Sequence, residues 1–317
     1  MKKGVAIFCV LALAVLLAMG YRREQDLRPQ VRIRMATGGE SGIYYAYGDA
    51  LAEILEKNMN VSVTAIPSGG SADNIRLLRN GRADIAFVQN DIMTYAYNGT
   101  NIFSAEGAFK ELSVIAGLYP EVCQIAARRD ITGVADLKGR RVSVGAEGSG
   151  TELNAMQILE SYGMDYTDVD VDHLGFSASV EAFREGRIDA FFCTAGVPTP
   201  AISELTGEGG AHILSIGDAR IRVLTDQYQF YSPYVIPAGT YAGIGADIQT
   251  AAVKAALAAS DRIDEETVLK IIEIIFGSRD EIARIIPEGK NLSRGYAIDG
   301  MPVPLHPASE KFFLRSR

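Results

Sequence analysis

One short pattern occurs twice in this chain: residues 80–87 read N-G-R-A-D-I-A-F, and residues 185–192 read E-G-R-I-D-A-F-F. In each copy the glycine follows a helical stretch, and glycine readily takes the left-handed conformation that ends a helix. The apolar residues that follow predict a strand. Polar residues stand at the far end of each strand, Gln89-Asn90-Asp91 in the first copy and Thr194-Ala195-Gly196 in the second. The chain therefore carries a duplicated architecture.

The duplication extends upstream of both copies. In each half of the chain, two predicted strands are each followed by a loop rich in glycine and serine and then by a helix. The strands are predicted at 31–36, 61–66, 141–144 and 169–174, and the loops at 37–42, 68–71, 145–151 and 175–177. Alternating β and α segments favour an α/β fold with parallel sheets, in which ligands sit beyond the carboxyl ends of the strands. All four loops lie at that edge, so two similar β-loop-α-β-loop-α-β lobes are implied.

Length and charge narrow the class of protein. A chain of 317 residues with 48% apolar content can bury a large core and fits two compact units better than one. The net charge of −8 argues against a nucleic acid or an anionic membrane surface as partner, because both are met by basic faces.

The N-terminus resembles a targeting segment. Lys2 and Lys3 precede an apolar run at 5–19, and the small residues around Met19 predict a signal peptide at 1–20 with cleavage before Tyr21. An uncleaved anchor is the alternative. Fifteen apolar residues are short for a bilayer, which needs about 20. We expect an exported protein, in the periplasm or at the outer face of the cytoplasmic membrane.

The four glycine-rich loops, each of which leads into a predicted helix, are the strongest candidates for a binding site in the sequence. Free N–H groups and the positive end of the helix dipole make a helix N-terminus a site for a carboxylate or phosphate. The alternative is that these loops only make tight turns between strand and helix. Several tyrosines also fall near the predicted loops, where a phenol supplies an apolar wall and one hydroxyl group.

Enzyme and metal motifs are incomplete. The loop at 145–151 has the G-x-x-x-x-G spacing of a phosphate-binding loop, but Thr151 stands in place of the lysine. A dinucleotide fingerprint would need glycine at Leu153, and no G-x-S-x-G nucleophile elbow occurs. The histidines are isolated in sequence. We therefore predict no catalytic residues, no metal and no cofactor, with Ser149 or Cys193 as the nucleophile if the chain is nevertheless a transferase-like enzyme.

Seven ordered runs resemble one known family over nearly the whole chain after residue 30. They are T-G-G-E-S-G-I-Y-Y at 37–45, S-G-G-S at 68–71 with Asn74, A-F-V-Q-N-D at 86–91, L-Y-P-E at 118–121, V-G-A-E-G-S-G-T-E at 144–152, T-A-G-V-P-T at 194–199 and G-M-P-V-P-L-H-P at 300–307. These runs resemble the TAXI-type substrate-binding proteins of TRAP (tripartite ATP-independent periplasmic) transporters.

The resemblance implies a type II periplasmic-binding-protein fold, with two Rossmann-like lobes and a ligand cleft between them. It also implies a small organic anion or amino acid as ligand, a dicarboxylate, oxo acid or glutamate-like molecule, and delivery to an integral membrane TRAP permease. We expect a monomer. A binding protein for an ABC importer or a sensor kinase is the alternative with the same pocket. Glu40 and Glu147 depart from the family pattern, and if they face the cleft their carboxylates would either meet an ammonium group or oppose an anionic ligand.

Backbone N–H groups of the glycine loops are expected to carry the anion, polar side chains to orient it, and Tyr44 and Tyr231 to form walls. The predicted ligand-binding residues are Thr37, Gly38, Gly39, Gly42, Tyr44, Ser68, Gly69, Gly70, Ser71, Asn74, Gln89, Asn90, Tyr119, Gly148, Ser149, Gly150, Thr151, Thr194, Ala195, Gly196, Pro198 and Tyr231.

The lobes are predicted at 30–128 plus 243–317 and at 129–242, with ligand-driven hinge closure between them. The last part of the chain should contain a strand at 249–259 and an amphipathic helix at 264–276. Ser278 and Glu281 should form a capping box for the next helix, and Pro302, Pro304 and Pro307 should hold an extended strap.

Overall fold

The computed structural model describes residues 31–315, so the predicted signal peptide at 1–20 lies outside the described residues. Within 31–315 no helix has both the length and the apolar character needed to cross a membrane. The strands are β1 (Val31–Ala36), β2 (Val61–Ile66), β3 (Ile85–Gln89), β4 (Leu112–Ala127), β5 (Arg141–Ser143), β6 (Asp170–Asp172), β7 (Ala190–Ala195), β8 (His212–Ile213), β9 (Ser232–Ile236) and β10 (Ile248–Ser260).

The α-helices alternate with these strands over most of the chain. They are α1 (Ile43–Asn58), α2 (Ser71–Arg79), α3 (Asn90–Asn98), α4 (Gly150–Ser161), α5 (Phe176–Arg184), α6 (Pro200–Gly207), α7 (Asp218–Gln227), α8 (Glu265–Gly277), α9 (Arg279–Ile285), α10 (Arg294–Ile298) and α11 (Pro307–Leu314). Short 3₁₀ turns lie at Asn101–Phe103, Val134–Leu137 and Pro287–Asn291.

The predicted duplication is confirmed by the topology. The strands form one mixed sheet in the order β2-β1-β3-β10-β4-β7-β5-β6, with β8 beside β4 and β9 beside β10. In the first unit (β1, α1, β2, α2, β3), β1 pairs in parallel with β2 and β3. In the second unit (β5, α4, β6, α5, β7), β5 pairs in parallel with β6 and β7. Each unit thus places its first strand at its centre.

Two long antiparallel strands join the units. One end of β10 pairs with β3 through residues 255–259, and the other end pairs with β9 through residues 248–252. Strand β4 pairs with β10 along residues 112–122 and with β7 along residues 122–127. The chain therefore passes between the units inside these strands, and the lobe boundaries stay a prediction.

The repeated sequence pattern has the same physical role in both units. Gly81 and Gly186 take the left-handed conformation expected after a helix, with φ of 63° and 72°. The Asp84 carboxylate accepts hydrogen bonds from the backbone and the guanidinium of Arg34, whose Nη1 also donates to the carbonyl of Gly81. Arg141, Asp189 and Gly186 repeat this arrangement. In each unit, the glycine carbonyl and the aspartate carboxylate of the repeated pattern therefore bind an arginine of the first strand and hold the turn after the second helix against that strand.

The apolar faces that the sequence predicts are buried. In α8, Val268, Ile271, Ile272 and Ile275 are fully buried and belong to the same core as α1 of the first unit. A separate core fills the second unit around β5 and α4. Burial of such aliphatic side chains contributes about 1.5–3 kcal/mol each.

Two expectations for the end of the chain are wrong. Ser278 precedes α9, but its side chain makes no capping hydrogen bond, and Glu281 instead binds Lys57 of α1 at 3.0 Å. The tail does not end as an extended strap, because Pro307 begins helix α11. Proline suits that first helical position, since the N–H that it lacks has no partner there.

We predict that Asp189→Ala lowers the free energy of unfolding by about 2 kcal/mol, because it leaves the guanidinium of Arg141 without the carboxylate that it binds. Urea unfolding followed by circular dichroism measures the change. Asp130→Ala is the matched control, since the pair of Asp130 with Arg140 is exposed and should contribute at most about 1 kcal/mol. Equal midpoints for the two variants would contradict the structural role assigned to the repeat.

Candidate functional site

A cavity lies at the carboxyl ends of the parallel strands, between the two units. Its volume is about 140 Å³, close to the about 150 Å³ of an engineered cavity that holds benzene. A molecule of a few carbon atoms therefore fits. The lining residues are Gly38, Gly39, Ser41, Gly42, Ile43, Tyr44, Ser68, Gly69, Gly70, Ser71, Gln89, Glu121, Ala146, Ser149, Gly150, Thr151, Gly175, Phe176, Thr194 and Ala195.

Four helices begin at the cavity wall: α1 and α2 from the first unit, and α4 and α5 from the second. Glycine is the N-cap residue of α1, α2 and α5, and no side chain caps these three helices. In α4, the Ser149 hydroxyl accepts a hydrogen bond from the N–H of Glu152. Because the first N–H groups of a helix have no intrahelical partner, the wall presents donors and positive helix ends to the cavity.

Two glycines permit the close approach of the units. A Cβ atom on Gly150 would lie 1.7 Å from Oε1 of Gln89 and 2.4 Å from its Cδ, so the Gln89 side chain at the end of β3 would have to move. Gly70 has a φ of 116°, which side chains rarely adopt, and a Cβ there would lie 3.6 Å from the Cβ of Ser149. The loops of the two units thus contact each other directly beside the cavity.

Hydroxyl groups fix the walls. The Ser71 hydroxyl accepts a hydrogen bond from the N–H of Gln89 at 3.1 Å and lies 3.5 Å from the phenol of Tyr44. The Ser68 hydroxyl donates to the carbonyl of Thr37 and accepts from the N–H of Gly70, each at 3.0 Å. These contacts hold the loop before α2 against the loop before α1.

Glu121 carries the one carboxyl group among the described residues that line the cavity. It lies in β4, where the pairing with β10 shifts so that Gly117 faces Ala256 while Tyr119 faces Ala255. This bulge leaves one extra residue in β4, and such bulges change the direction of neighbouring side chains. Pro120 follows the bulge and has no N–H to donate. The sequence in this part of β4 thereby aims Glu121 into the cavity.

The Glu121 carboxyl is held by phenols. Tyr44 donates to its Oε2 at 2.9 Å, and Tyr119 donates to its Oε1 at 3.5 Å. Burial raises the pKa of Glu121 to about 8, because removal from water disfavours the charged form and the hydrogen bonds from its neighbours only partly offset this. A neutral carboxyl at this position can donate a hydrogen bond, whereas the ionised form only accepts.

The carboxylates that depart from the family pattern do not line the cavity. Glu40 and Glu147 are exposed. No lysine, arginine or histidine is among the described residues of the wall. A bound anion would therefore meet backbone N–H groups and hydroxyls, without a cationic side chain.

The possible nucleophiles lack a base among the described residues. The Ser149 hydroxyl is occupied as the N-cap of α4. Cys193 is a free, buried thiol, and burial raises its pKa far above the usual range. His173 has a carboxylate partner that the sequence does not reveal, Glu152 at 3.3 Å, but it does not line the cavity. His306 caps α11 through its Nδ1. These contacts do not form a catalytic constellation.

Fourteen of the predicted ligand-binding residues line the cavity, and their role in binding stays a prediction. The others lie outside its lining and hold the surrounding structure: Thr37, Asn74, Asn90, Tyr119, Gly148, Gly196, Pro198 and Tyr231. Among the polar residues of this group, the side-chain atoms are used by neighbouring backbone and side chains.

Asn74 is fully buried and donates to the carbonyls of Thr37 and Phe87, so it ties α2 to β1 and β3. The Thr37 hydroxyl donates to the carbonyl of Ile66. Asn90 donates to Phe230 and accepts from the N–H of Lys254. These amides and the Thr37 hydroxyl therefore bind backbone groups.

The ring of Tyr119 stacks on that of Tyr47, and the Tyr119 hydroxyl donates to Oε1 of Glu121. Gly196 lies against Glu288, where a Cβ atom would approach within 2.6 Å, and Pro198 follows it in the same turn. Gly148 has a φ of 71° and shapes the loop before α4. Tyr231 is buried away from the cavity and does not form its wall.

Sequence reasoning missed six lining residues: Ser41, Ile43, Glu121, Ala146, Gly175 and Phe176. Most of them adjoin predicted residues in the same loops. Glu121 carried a usable signal, because it is the only charged residue in the sixteen-residue strand β4. A carboxylate in an otherwise buried strand needs partners or a role at a site.

A polar network crosses between the units beside the cavity. Asn154 of α4 donates to the Asp91 carboxylate at 2.8 Å and to the hydroxyl of Tyr231 at 2.9 Å. Tyr231 donates to Gln157 of α4, and Gln157 donates to the hydroxyl of Tyr95 on α3. Burial raises the pKa of Asp91 to about 7. The contact between α3 and α4 thus contains a titratable group.

We predict that Asp91→Asn reduces the pH dependence of stability. The folded protein holds the Asp91 proton up to about pH 7, whereas the unfolded chain releases it near 3.8. The free energy of unfolding therefore falls as pH rises across this interval. Thermal unfolding between pH 5 and 8 should show a smaller fall in Tm for Asp91→Asn than for the parent protein. Asp49→Asn, on the exposed face of α1, is the control, and equal slopes for all three proteins would refute the assignment.

Solved structures share this architecture. MatC from Rhodopseudomonas palustris, with bound malate, matches with a TM-score of 0.60 at 15% identity, covering 90% of this chain and 98% of that chain. PhnD1 from Prochlorococcus marinus, in complex with methylphosphonate, matches with a TM-score of 0.54 at 12% identity, covering 82% and 91%. The alkanesulfonate-binding protein SsuA from Xanthomonas axonopodis, bound to MOPS, matches with a TM-score of 0.50 at 16% identity, covering 89% and 83%.

The likeness to these structures lies in the fold. It confirms the predicted α/β fold of periplasmic binding proteins, with a mixed sheet and flanking helices. The sequence itself matches a family over residues 35–314, which is most of the chain. The protein accordingly belongs to the NMT1-like family.

Proposed function

We propose that this protein is an exported solute-binding receptor that captures a small organic acid between its two units and delivers it to a membrane transporter. The observation that carries the proposal is the wall of four helix N-termini, two from each unit, around one cavity. A helix N-terminus stabilises a negative charge by about 0.3–1 kcal/mol, and by up to about 2 kcal/mol when partly buried. Several such ends around one small cavity favour an anionic ligand.

Charge in the cavity restricts the ligand further. Two like charges 4 Å apart repel by about 4 kcal/mol at the effective dielectric constant of a protein surface. An ionised Glu121 would therefore oppose an anion unless the ligand also brought an ammonium group. Two classes of ligand avoid this repulsion. A small carboxylate can bind when Glu121 is neutral, and an amino acid can bind when Glu121 is ionised.

The transporter partner is proposed on the resemblance to TAXI-type proteins, which favours an integral membrane TRAP permease. A binding protein for an ABC importer or a sensor kinase has the same pocket and stays the second candidate, since proteins of this fold also include the alkanesulfonate-binding SsuA and PhnD1 with methylphosphonate. The neighbouring reading frame discriminates: a large multi-span permease favours TRAP, an ATPase favours ABC, and a histidine kinase favours sensing.

Ligand capture is proposed to occur by hinge closure. The contacts of Gln89 with Gly150, of Gly70 with Ser149 and of Asp91 with Asn154 join the two units and belong to the closed arrangement. A ligand that touches both units favours closure because neither unit alone offers the complete set of contacts. The bending points are proposed to lie in β4 and β10, and the protein to act as a monomer without catalytic activity.

Thermal unfolding with a panel of anions tests this function. The panel contains pyruvate, malate and 2-oxoglutarate, their amino-acid counterparts alanine, aspartate and glutamate, and methanesulfonate and methylphosphonate. A ligand at 100 times its Kd stabilises refolded, ligand-free protein by about 2.7 kcal/mol. We expect at least one carboxylate in the panel to raise the Tm of the protein by roughly several degrees. No response to any member of the panel would contradict the proposal.

Gly150→Ala is the matched loss-of-binding variant. Its Cβ would displace the buried side chain of Gln89 or hold the units apart, so we expect the Tm response to disappear. Gly245→Ala is the control, because a Cβ there meets no atom within 4 Å. Circular dichroism verifies that both variants fold.

A further inference from the structure

Resting on the proposed function, we propose that Glu121 determines ligand specificity: it enters the complex as a neutral carboxylic acid and donates its proton in a hydrogen bond to a ligand carboxylate. The cavity then selects 2-oxo and 2-hydroxy acids over amino acids of the same carbon skeleton. A carboxylate ligand accepts this hydrogen bond, whereas an ammonium group would need the ionised form of Glu121.

The polarity of the wall favours a ligand that accepts hydrogen bonds. Backbone N–H groups at the starts of α1, α2, α4 and α5 supply donors from both units. A neutral Glu121 adds one more donor to the same small volume. A ligand surrounded by donors is one that accepts hydrogen bonds at most of its polar atoms, and the carboxylate and oxo groups of an oxo acid do so.

The groups around Glu121 favour its neutral form. The titratable groups around it are phenols, thiols and a carboxyl: Tyr44 on α1, Tyr119 on β4, Asp91 on α3, Tyr296 on α10, Cys123 on β4 and Cys193 on β7. A second buried carboxyl, Glu288 on the 3₁₀ turn packed against β4, acts on Tyr119. The nearest lysine in the sheet, Lys254 on β10, donates instead to the carbonyls of Tyr296 and Asp299. No cation among these groups stabilises an ionised Glu121, and the Asp91 carboxyl opposes it. This agrees with the raised pKa of Glu121, about 8.

The hydrogen bonds of Glu121 leave room for this role. Tyr44 donates to Oε2 at 2.9 Å, whereas Tyr119 lies 3.5 Å from Oε1, so Oε1 has the weaker partner. Glu121 nevertheless lines the cavity, although only 3% of its surface is exposed. Its proton can therefore be directed at a ligand atom while the phenols fix the plane of the carboxyl group.

Isothermal titration calorimetry between pH 6 and 9 tests the inference with the matched pairs malate and aspartate, pyruvate and alanine, and 2-oxoglutarate and glutamate. The hydroxy and oxo acids remain ionised as carboxylates across this range. Since binding requires a protonated Glu121, the affinity for the hydroxy or oxo acid should be at least tenfold weaker at pH 9 than at pH 6. Titrations in two buffers of different ionisation heat should show proton uptake on binding.

Three variants separate the causes. In Glu121→Gln the amide replaces the acid, and Kd at pH 6 and pH 9 should agree within about twofold, since the amide does not titrate. Tyr44→Phe removes a hydrogen bond that lowers the pKa of Glu121, so the fall in affinity should move to higher pH. Asp49→Asn, on the exposed face of α1, is the control and should retain the fall in affinity above pH 8.

The opposite results overturn the inference. An amino acid that binds more tightly than its partner and is lost in Glu121→Gln would show that the ionised carboxylate receives an ammonium group. A pH dependence that survives in Glu121→Gln, or that does not move in Tyr44→Phe, would assign the proton to another group. Binding of methanesulfonate or methylphosphonate, but of none of the six acids, would overturn this inference alone. Binding of no member of the panel would overturn the proposed function, and this inference with it.

Discussion

The antiparallel pairing of β4 with β10 is the interaction on which the rest of the structure depends. These two strands carry hydrogen bonds from the first unit to the second without interruption of the sheet, apart from the bulges in β4. They set the distance between the helix N-termini that face each other across the cavity. The bulge at Gly117–Tyr119 also aims Glu121 into it. The pairing of β4 with β10 therefore determines both the spacing of the helix N-termini and the direction of Glu121.

Backbone donors give this cavity a particular electrostatic character. Helix N-termini and glycine N–H groups attract an anion without a mobile cationic side chain, so little side-chain entropy is lost on binding. The glycines that make this possible also permit the close contact between units, as Gly150 does beside Gln89. The same residues thus serve binding and closure. Discrimination between anions then falls to the few side chains in the wall, of which Glu121 alone titrates near neutral pH.

Much of this arrangement follows from the sequence. The repeated G-R-x-D pattern predicts two equivalent units, and the glycine loops predict the helix ends that surround the cavity. The predicted residues Asn74, Asn90 and Tyr231 lie elsewhere because their partners come from distant parts of the chain. Glu121 could not be assigned because its direction depends on a bulge in the pairing with β10. The local sequence pattern predicts individual helices, strands and loops. The register between β4 and β10, which lie roughly 130 residues apart in the chain, is decided by packing.

Amide NMR spectra of the protein with and without a bound acid from the panel test most directly whether the helix N-termini hold the ligand. A carboxylate held by the helix N-termini should move the amide proton signals of residues 43–44, 71–72 and 150–151 downfield, because these N–H groups would donate to it. Signals of exposed residues on α7 and α9 should stay in place. Large shifts confined to other parts of the chain, with these three segments unchanged, would contradict the account.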